Sequence, residues 1–528
     1  MWPEQSGQTA NSLFSTQRHE VNEVFLISES SLSPCLRVEE DHPTTMSATG
    51  SARNGVLAYV DQRSPSPLFH VMPKHKENST TKVGFVSLGC PKNLVDSEVM
   101  LGTLSEQGYE LTPDQESADV IVVNTCGFID SAKKESIDTI LEMAALKTEG
   151  RCRKLVVAGC LGERYRDEIR RDIPEIDFVF GPDELGKVLE AVRLDENEPT
   201  TGVNIDALYT SEQVPTIPRI LTTPGHMAYL KISEGCDHTC AFCAIPSFRG
   251  AFRSRRMEHL VAEAERLAAD GVRELVIVSQ DTLAYGKDLG RPEGTIELLG
   301  ELLKVDGLDW IRLLYCYPNL LSDKLVRFVA EQERLCSYFD VPFQHASARI
   351  LERMRRGGSR KAFEDQVARI RDIVPGAGLR SSFIVGFPGE TDDDFDDLVG
   401  FAETVGFDNL GVFLYSDEEG TAAFGLDSKV SREVAEERRD ILMSKQEQIS
   451  RRALTDMVGR RVRVLLDGLS SETDLLLEGR LETQSPDIDG HVLINDAGEI
   501  EPVTGSFYTV EITESLEYDL VGRLVGTS

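Results

Sequence analysis

The chain has 528 residues, and its 41% hydrophobic and 27% charged content is the balance of a globular protein with length for two to four cores. A net charge of −33, from 56 basic and 89 acidic residues, weighs against broad capture of a nucleic-acid backbone; it suits a basic partner, or solubility alone. There is no apolar run of about 18 residues to span a membrane and no basic-then-apolar leader, so the cytoplasm is expected, where ten sparse cysteines point to metal or catalysis and not to a disulfide framework.

Residues 1–80 are rich in Ser, Thr and Pro and read as a poorly ordered leader, with Met72 a plausible true start. A β-α repeat follows over 81–211. Val83 to Leu88, Asp119 to Asn124 and Leu155 to Ala158 are apolar strands, with helix-like segments near 94–107 and 130–146 between them, so an open parallel sheet is expected. Each strand runs into a cysteine: Cys90, Cys126 and Cys160, spaced by 36 and 34 residues. Carboxyl ends of parallel strands are where α/β sheets bind ligands, so three distant residues converge on one spot. The plainer alternative is three buried core thiols.

Residues 212–225 are punctuated by Pro215, Pro218 and Pro224 and read as a linker. Between 226 and 455, six strand candidates alternate with helical patterns: Ala228–Ser233, Leu275–Ser279, Ile311–Tyr315, Phe339–Phe343, Ser382–Phe387 and Gly411–Tyr415. Repeated βα units of this length predict a partial (β/α)6 barrel with its site at the carboxyl face. The first strand ends in Cys236-Asp237-His238-Thr239-Cys240-Ala241-Phe242-Cys243. Three thiolates this close suit three corners of an iron–sulfur cube and leave one iron open to a second molecule. The competing reading is zinc bound by Cys236, Cys240, Cys243 and His238, although His238 lies only two residues from each of two cysteines. After a charged helix, 456–528 turns to short strands, Val462–Leu466, Leu475–Leu481, His491–Ile494, Phe507–Ile512 and Leu520–Leu524, which suit a small antiparallel barrel.

With these pieces placed, residues 82–528 resemble the methylthiotransferases, a radical S-adenosylmethionine (SAM) family of three domains. The runs Val83 to Glu98, Ala228 to Cys236 and Ile245 to Gly250, with Pro486 to Gly490 in the last barrel, are similar to the branch that acts on ribosomal protein S12. The resemblance implies two [4Fe–4S] clusters: a SAM-cleaving one on Cys236, Cys240 and Cys243, and an auxiliary one on Cys90, Cys126 and Cys160. It implies that a methylthio group is placed on the β-carbon of an S12 aspartate. One SAM would supply a 5′-deoxyadenosyl radical and another the methyl, the auxiliary cluster would carry the sulfur, and a flavodoxin or ferredoxin would supply electrons. It also implies a TRAM-type fold for the last barrel. Cys35, Cys152, Cys316 and Cys336 receive no role.

Relatives within that family modify adenosine in transfer RNA. Residues 456–528 hold five arginines, no lysine and fifteen carboxylates, a net charge of −10, whereas a module gripping phosphates is basic. A Lys/Arg-rich protein substrate is therefore preferred and extensive nucleic-acid contact is not expected; an acidic surface with no partner is the alternative. An iron–sulfur electron carrier or ribosome-binding protein without turnover is the reading from another class. Candidate SAM contacts are Phe242, with a packed loop aromatic as the alternative, Gln280 at the end of the second barrel strand, and Gly386 in Ile384-Val385-Gly386-Phe387-Pro388-Gly389-Glu390, which resembles the family's strand and turn beside SAM and otherwise reads as an ordinary strand-to-helix loop. Arg249, Arg253, Arg255 and Arg256 form a basic cluster that suits a carboxylate or a solvated helix start. His345 reads as hydrogen-bonded structure, and Asp392, Asp393 and Asp394 as favourable charges at a helix N-terminus.

Overall fold

The computed structural model describes residues 81–195, 207–215 and 217–528, so the predicted leader, Met72 and Cys35 lie outside the described residues. The first unit is a five-stranded, wholly parallel sheet of β1 (Lys82–Ser87), β2 (Glu110–Thr112), β3 (Val120–Thr125), β4 (Lys154–Gly159) and β5 (Ile176–Phe180), ordered β2-β1-β3-β4-β5. The runs Val120 to Val123 and Leu155 to Ala158 in its central strands are apolar because both faces are covered. Val120 and Val122 pack with Met100 and Leu104 of helix Pro91–Glu106, while Ile121 and Val123 pack with Ile137 and Ile140 of helix Asp130–Glu149. Three strands are anticipated by the sequence; β2 and β5 are additions. Both are edge strands, β2 has only three residues, and Glu110 and Asp177 break their apolar runs.

The central unit begins with β6 (Met227–Lys231). A two-residue hairpin of β7 (Ser233–Glu234) and β8 (Arg253–Ser254) then clamps the base of the cysteine loop. Strands β9 (Glu274–Val278) and β10 (Trp310–Leu313) join β6 in one parallel sheet, and β11 (Tyr338–Asp340), β12 (Gly378–Val385) and β13 (Asn409–Leu414) form a second. The bridge from Ile311 to Leu335 and the bond from Cys316 N–H to Asp340 O at 2.9 Å join the two halves. All six predicted barrel strands are present. Ala228, Leu230 and Ile232 share a core with Leu260 and Ala264 of the outer helix Met257–Ala269, while the alternate residues Met227 and Tyr229 face inward.

The last unit is a closed barrel of β14 (Arg461–Leu469), β15 (Leu477–Arg480), β16 (Val492–Asp496), β17 (Phe507–Ser515) and β18 (Leu520–Thr527), ordered β14-β15-β16-β18-β17. It departs from a purely antiparallel barrel in one pair, β16 with β18, which is parallel. Strand β17 crosses to close on β14, and after this second reversal β18 runs alongside β16 in the same direction. The barrel is mounted on the inner surface of the central sheets. Leu465 and Phe507 pack with Met227, Tyr229, Trp310 and Tyr338. Around them, Arg480 pairs with Glu274 at 2.7 Å, Tyr229 donates to Asp487 at 2.8 Å, and Tyr338 donates to Asp489 at 2.7 Å. No helix among the described residues is long and apolar enough to cross a membrane.

Candidate active site

Cys126 and Cys160 stand directly after β3 and β4, and Cys90 three residues after the end of β1; the three strands are neighbours in the sheet. Short side-chain bridges hold the three turns together. Asn124 Nδ2 donates to Asn93 O at 3.0 Å and to Ser97 Oγ at 2.8 Å, and Thr125 Oγ1 donates to Ala158 O at 2.6 Å. Gly89 adopts φ +90°, and a β-carbon there would lie 2.8 Å from Cys126 Cβ, so only glycine lets the first two turns approach this closely. Burial works against the Cys90 thiolate, but Lys92 and Arg249 more than offset it and bring this thiol below its ordinary value. Burial pushes the other two up, Cys160 to about 12.

The second trio lies at the carboxyl end of β6. Cys236 N–H donates to Gly250 O at 3.2 Å, Phe252 N–H to Asp237 at 2.9 Å, and Ala241 N–H to Met354 O at 2.8 Å, so both limbs of the loop are pinned. Arg356 Nη1 stands 3.5 Å from Cys240 Sγ, with its guanidinium 4.4 Å from the Tyr317 ring centre. His238, the candidate fourth zinc ligand, is committed elsewhere: it stacks on Tyr317 at 3.8 Å and bonds Asp281 at 2.6 Å. Burial lifts Cys236 to about 11 and Cys243 to about 12. Thiols for which the bare thiolate is disfavoured gain most when bound metal takes up the charge. Among the described residues no three His, Cys, Asp or Glu side chains converge as they would on a single ion. Three sulfurs without a fourth protein donor fit a cluster with an open iron better than a lone zinc.

One short helix, Ile245–Arg249, belongs to both trios. Ala244, next to Cys243, packs with Cys160 and Phe248 in one apolar cluster. At the far end Arg249 Nε donates to Cys160 Sγ at 3.2 Å, and its Nη1 lies 2.8 Å from Glu234 Oε1 and 3.3 Å from Asp96 Oδ2. Lys231 closes the network on Glu234 at 2.8 Å and on Asp96, and Gln280 donates to Glu234 at 3.0 Å. Two cations and two carboxylates thus balance in a buried site. Burial favours the neutral acid at Glu234, yet Arg249 and Lys231 outweigh it and hold this carboxyl well below the usual range; burial prevails at Asp96, which lies above it. The network ties Glu234, two residues before Cys236, to the turn that carries Cys160.

The other sequence candidates divide. Phe242 packs beside Ile384 and Phe387, near the turn at Gly386. Gly386 has φ +77°, and a β-carbon there would lie 2.5 Å from Ala435 Cβ, so backbone shape and helix packing already require glycine. Gln280 reaches the charged network through Nε2, while its Oε1 is buried without a partner. Arg249 is buried and turned toward Cys160, and Arg255 pairs with Glu263 at 2.5 Å, so only part of the basic cluster is a solvated surface. His345 accepts a bond from Ser347 N–H at 3.0 Å, as a structural histidine does. Asp394 forms a capping box with Thr391. Cys152, Cys316 and Cys336 are buried in apolar cores. The sequence reading missed Asp96, Lys231 and Glu234; the signal available was a lysine and a glutamate inside the apolar run 228–234.

Residues 82–181 match the model of the Uncharacterized protein family UPF0004, 230–402 the Radical SAM superfamily and 458–525 the TRAM domain. A ribosomal protein uS12 methylthiotransferase RimO from Solibacter usitatus is 52% identical over 446 residues, 84% of this chain and 95% of that protein. Its counterpart in Koribacter versatilis is 47% identical over 490 residues, 85% and 97% of the two chains. The chain belongs to the uS12 methylthiotransferase family. Among solved structures, the radical SAM methyltransferase TsrM of Kitasatospora setae is similar with a TM-score of 0.47 and 17% identity, covering 63% of this chain and 75% of that one. In this family member, therefore, the Radical SAM match spans the loop with Cys236, Cys240 and Cys243, and the UPF0004 match spans Cys90, Cys126 and Cys160.

Proposed function

We infer that this chain methylthiolates the β-carbon of an aspartate in ribosomal protein S12, and that its two cysteine trios hold the two [4Fe–4S] clusters of that reaction. The observation that carries the reading is the five-residue helix Ile245–Arg249, which contacts the auxiliary trio and continues directly from the SAM-cleaving one. SAM and the clusters supply the radical, the sulfur and the methyl group, because an unactivated C–H bond offers no acidity for a side-chain base to use. The protein's own part is to hold the two sites face to face and keep water out. Buried Ala244, Phe248 and Arg249 fill the wall between the trios. Phe242, Gln280 and Gly386 remain the residues we assign to SAM.

The terminal barrel supports a protein substrate over transfer RNA. Arg480 is buried, Arg461 and Arg523 both pair with Glu511, and Arg463 lies 3.9 Å from Asp309, so four of the five arginines already face a carboxylate that competes with phosphate. We assign the reaction to the cytoplasm, with a flavodoxin or ferredoxin as electron donor. Anaerobic reconstitution tests the ligand sets: about eight irons per chain should fall to about four when either trio is replaced by alanine. Supplying S12 and transfer RNA in parallel tests the substrate, and modification of transfer RNA alone overturns the assignment.

A further inference from the structure

A reaction at the β-carbon of an aspartate brings that residue's carboxylate, one bond away, up to the two trios. Desolvating a carboxylate there is costly unless a cation meets it. Among the described residues, Arg249 and Arg356 reach cysteine sulfurs of the two trios, Lys231 is paired with Asp96 and Glu234, and Lys92 lies two residues from Cys90. Arg249 already has Cys160, Glu234, Asp96 and Asn93 as acceptors, and Arg356 is spent on Pro342 O at 2.8 Å and on Cys240. Lys92 differs. Its side chain is buried, 8% exposed, and no carboxylate among the described residues pairs with it. Its Nζ rests 3.3 Å from the ring centre of Tyr315.

This contact crosses the site. Lys92 follows Cys90 by two residues in the first unit, and Tyr315 follows β10 at the carboxyl face of the central unit. Tyr315 is held in a left-handed conformation, φ +60°, that non-glycine residues seldom adopt. Its N–H donates to Asp340 at 2.9 Å and its carbonyl accepts from Thr282 N–H at 3.2 Å, so the strained backbone that places its ring under Lys92 is anchored on both sides.

We propose that Lys92, seated on the Tyr315 ring, is the residue that recognises the side-chain carboxylate of the acceptor aspartate. The inference rests on S12 being the substrate, and it makes the acceptor's charge, beyond the surrounding surface, part of what is read. A neutral acceptor leaves the ammonium with only the Cys90 sulfur and the Tyr315 ring to face, which is how a buried charge becomes a specificity device.

The test measures binding of S12, and of S12 with the acceptor aspartate changed to asparagine, to the anaerobically reconstituted enzyme with SAM present. The wild-type enzyme should prefer the aspartate form by about 30-fold, the scale of losing one partner of a buried charge pair. Lys92→Met should hold the two forms within about twofold of each other, while Lys92→Arg should keep most of the preference. Equal affinity of the wild-type enzyme for both forms, or an undiminished preference in Lys92→Met, overturns the proposal and leaves Lys92 as a counter-charge to Cys90. The wild-type arm needs no variant to fold. Mass analysis of S12 after turnover separates the two levels: a wild-type enzyme that leaves S12 unmodified refutes the substrate reading, and with it this inference.

Discussion

Replacing Arg249 with methionine tests the wall between the two trios. Methionine keeps much of the length and apolar contact but removes the charge. Lys231 and Arg249 balance Asp96 and Glu234, and the four side chains are 7%, 3%, 1% and 3% exposed, so the variant is left with one surplus buried carboxylate. Breaking a buried pair from one side costs about 3–5 kcal/mol, a large part of the roughly 5–15 kcal/mol that separates folded from unfolded domains. At about 2–4 °C per kcal/mol for units of this size, melting should fall by about 10 °C. The pH dependence carries a sign. In the variant the surplus carboxyl's folded pKa is raised, so it is protonated and harmless on the acid side, and the deficit grows as pH rises through that value. Anaerobic differential scanning calorimetry near pH 5 and near pH 8 reads both effects, with Arg249→Lys as the variant that keeps charge but loses the fork. A shift under about 2 °C at the higher pH, or equal deficits at both, refutes the argument that this network is charge-balanced and sealed.

Three further outcomes follow from the geometry. Glu263 is lowered to about 2: burial opposes its ionisation, but Arg255 and Arg219 prevail. Its stabilisation is therefore present above the ordinary carboxylate value of 4.5 and lost as pH falls toward about 2, roughly 3 kcal/mol in all, and Glu263→Gln should flatten acid unfolding over that window. Gly386→Ala meets Ala435 and a positive φ together and should cost about 1–3 kcal/mol; adding Ala435→Gly should restore the packing part in a thermal melt, and no restoration would contradict the contact. Tyr338→Phe strips buried Asp489 of a donor at 2.7 Å and should cost about 1–3 kcal/mol, seen as faster proteolysis at the joint between terminal barrel and central sheets; unchanged cleavage would argue that apolar packing alone holds the joint.

Most of the fold was readable from apolar runs and their punctuation. The Cys90, Cys126 and Cys160 strands announce themselves because both faces of a parallel sheet are buried, which leaves unbroken stretches such as Val120 to Val123. Strand β2 was not readable, since three residues at an edge, one of them exposed Glu110, carry no period. The six cysteines stood out through spacing and position. The residues that join them did not, because a charge network is defined by partners remote in sequence. Asp96 and Lys231 lie 135 residues apart, and Arg249 and Cys160 lie 89 apart. Arg249 was read as part of a basic cluster because neighbouring arginines mask which one turns inward. Lys92 entered the sequence reading just as one residue of the run Val83 to Glu98; Tyr315, brought over it from another unit, gives its ammonium a setting.

The helix Ile245–Arg249 is in effect a ruler. At about 1.5 Å and 100° per residue, one inserted residue would swing the guanidinium away from the Cys160 sulfur and change the gap between the trios in the same stroke. The separation of the two cysteine sites is thus written into the covalent length of five residues. An insertion in this segment would loosen the tie between the two cysteine turns.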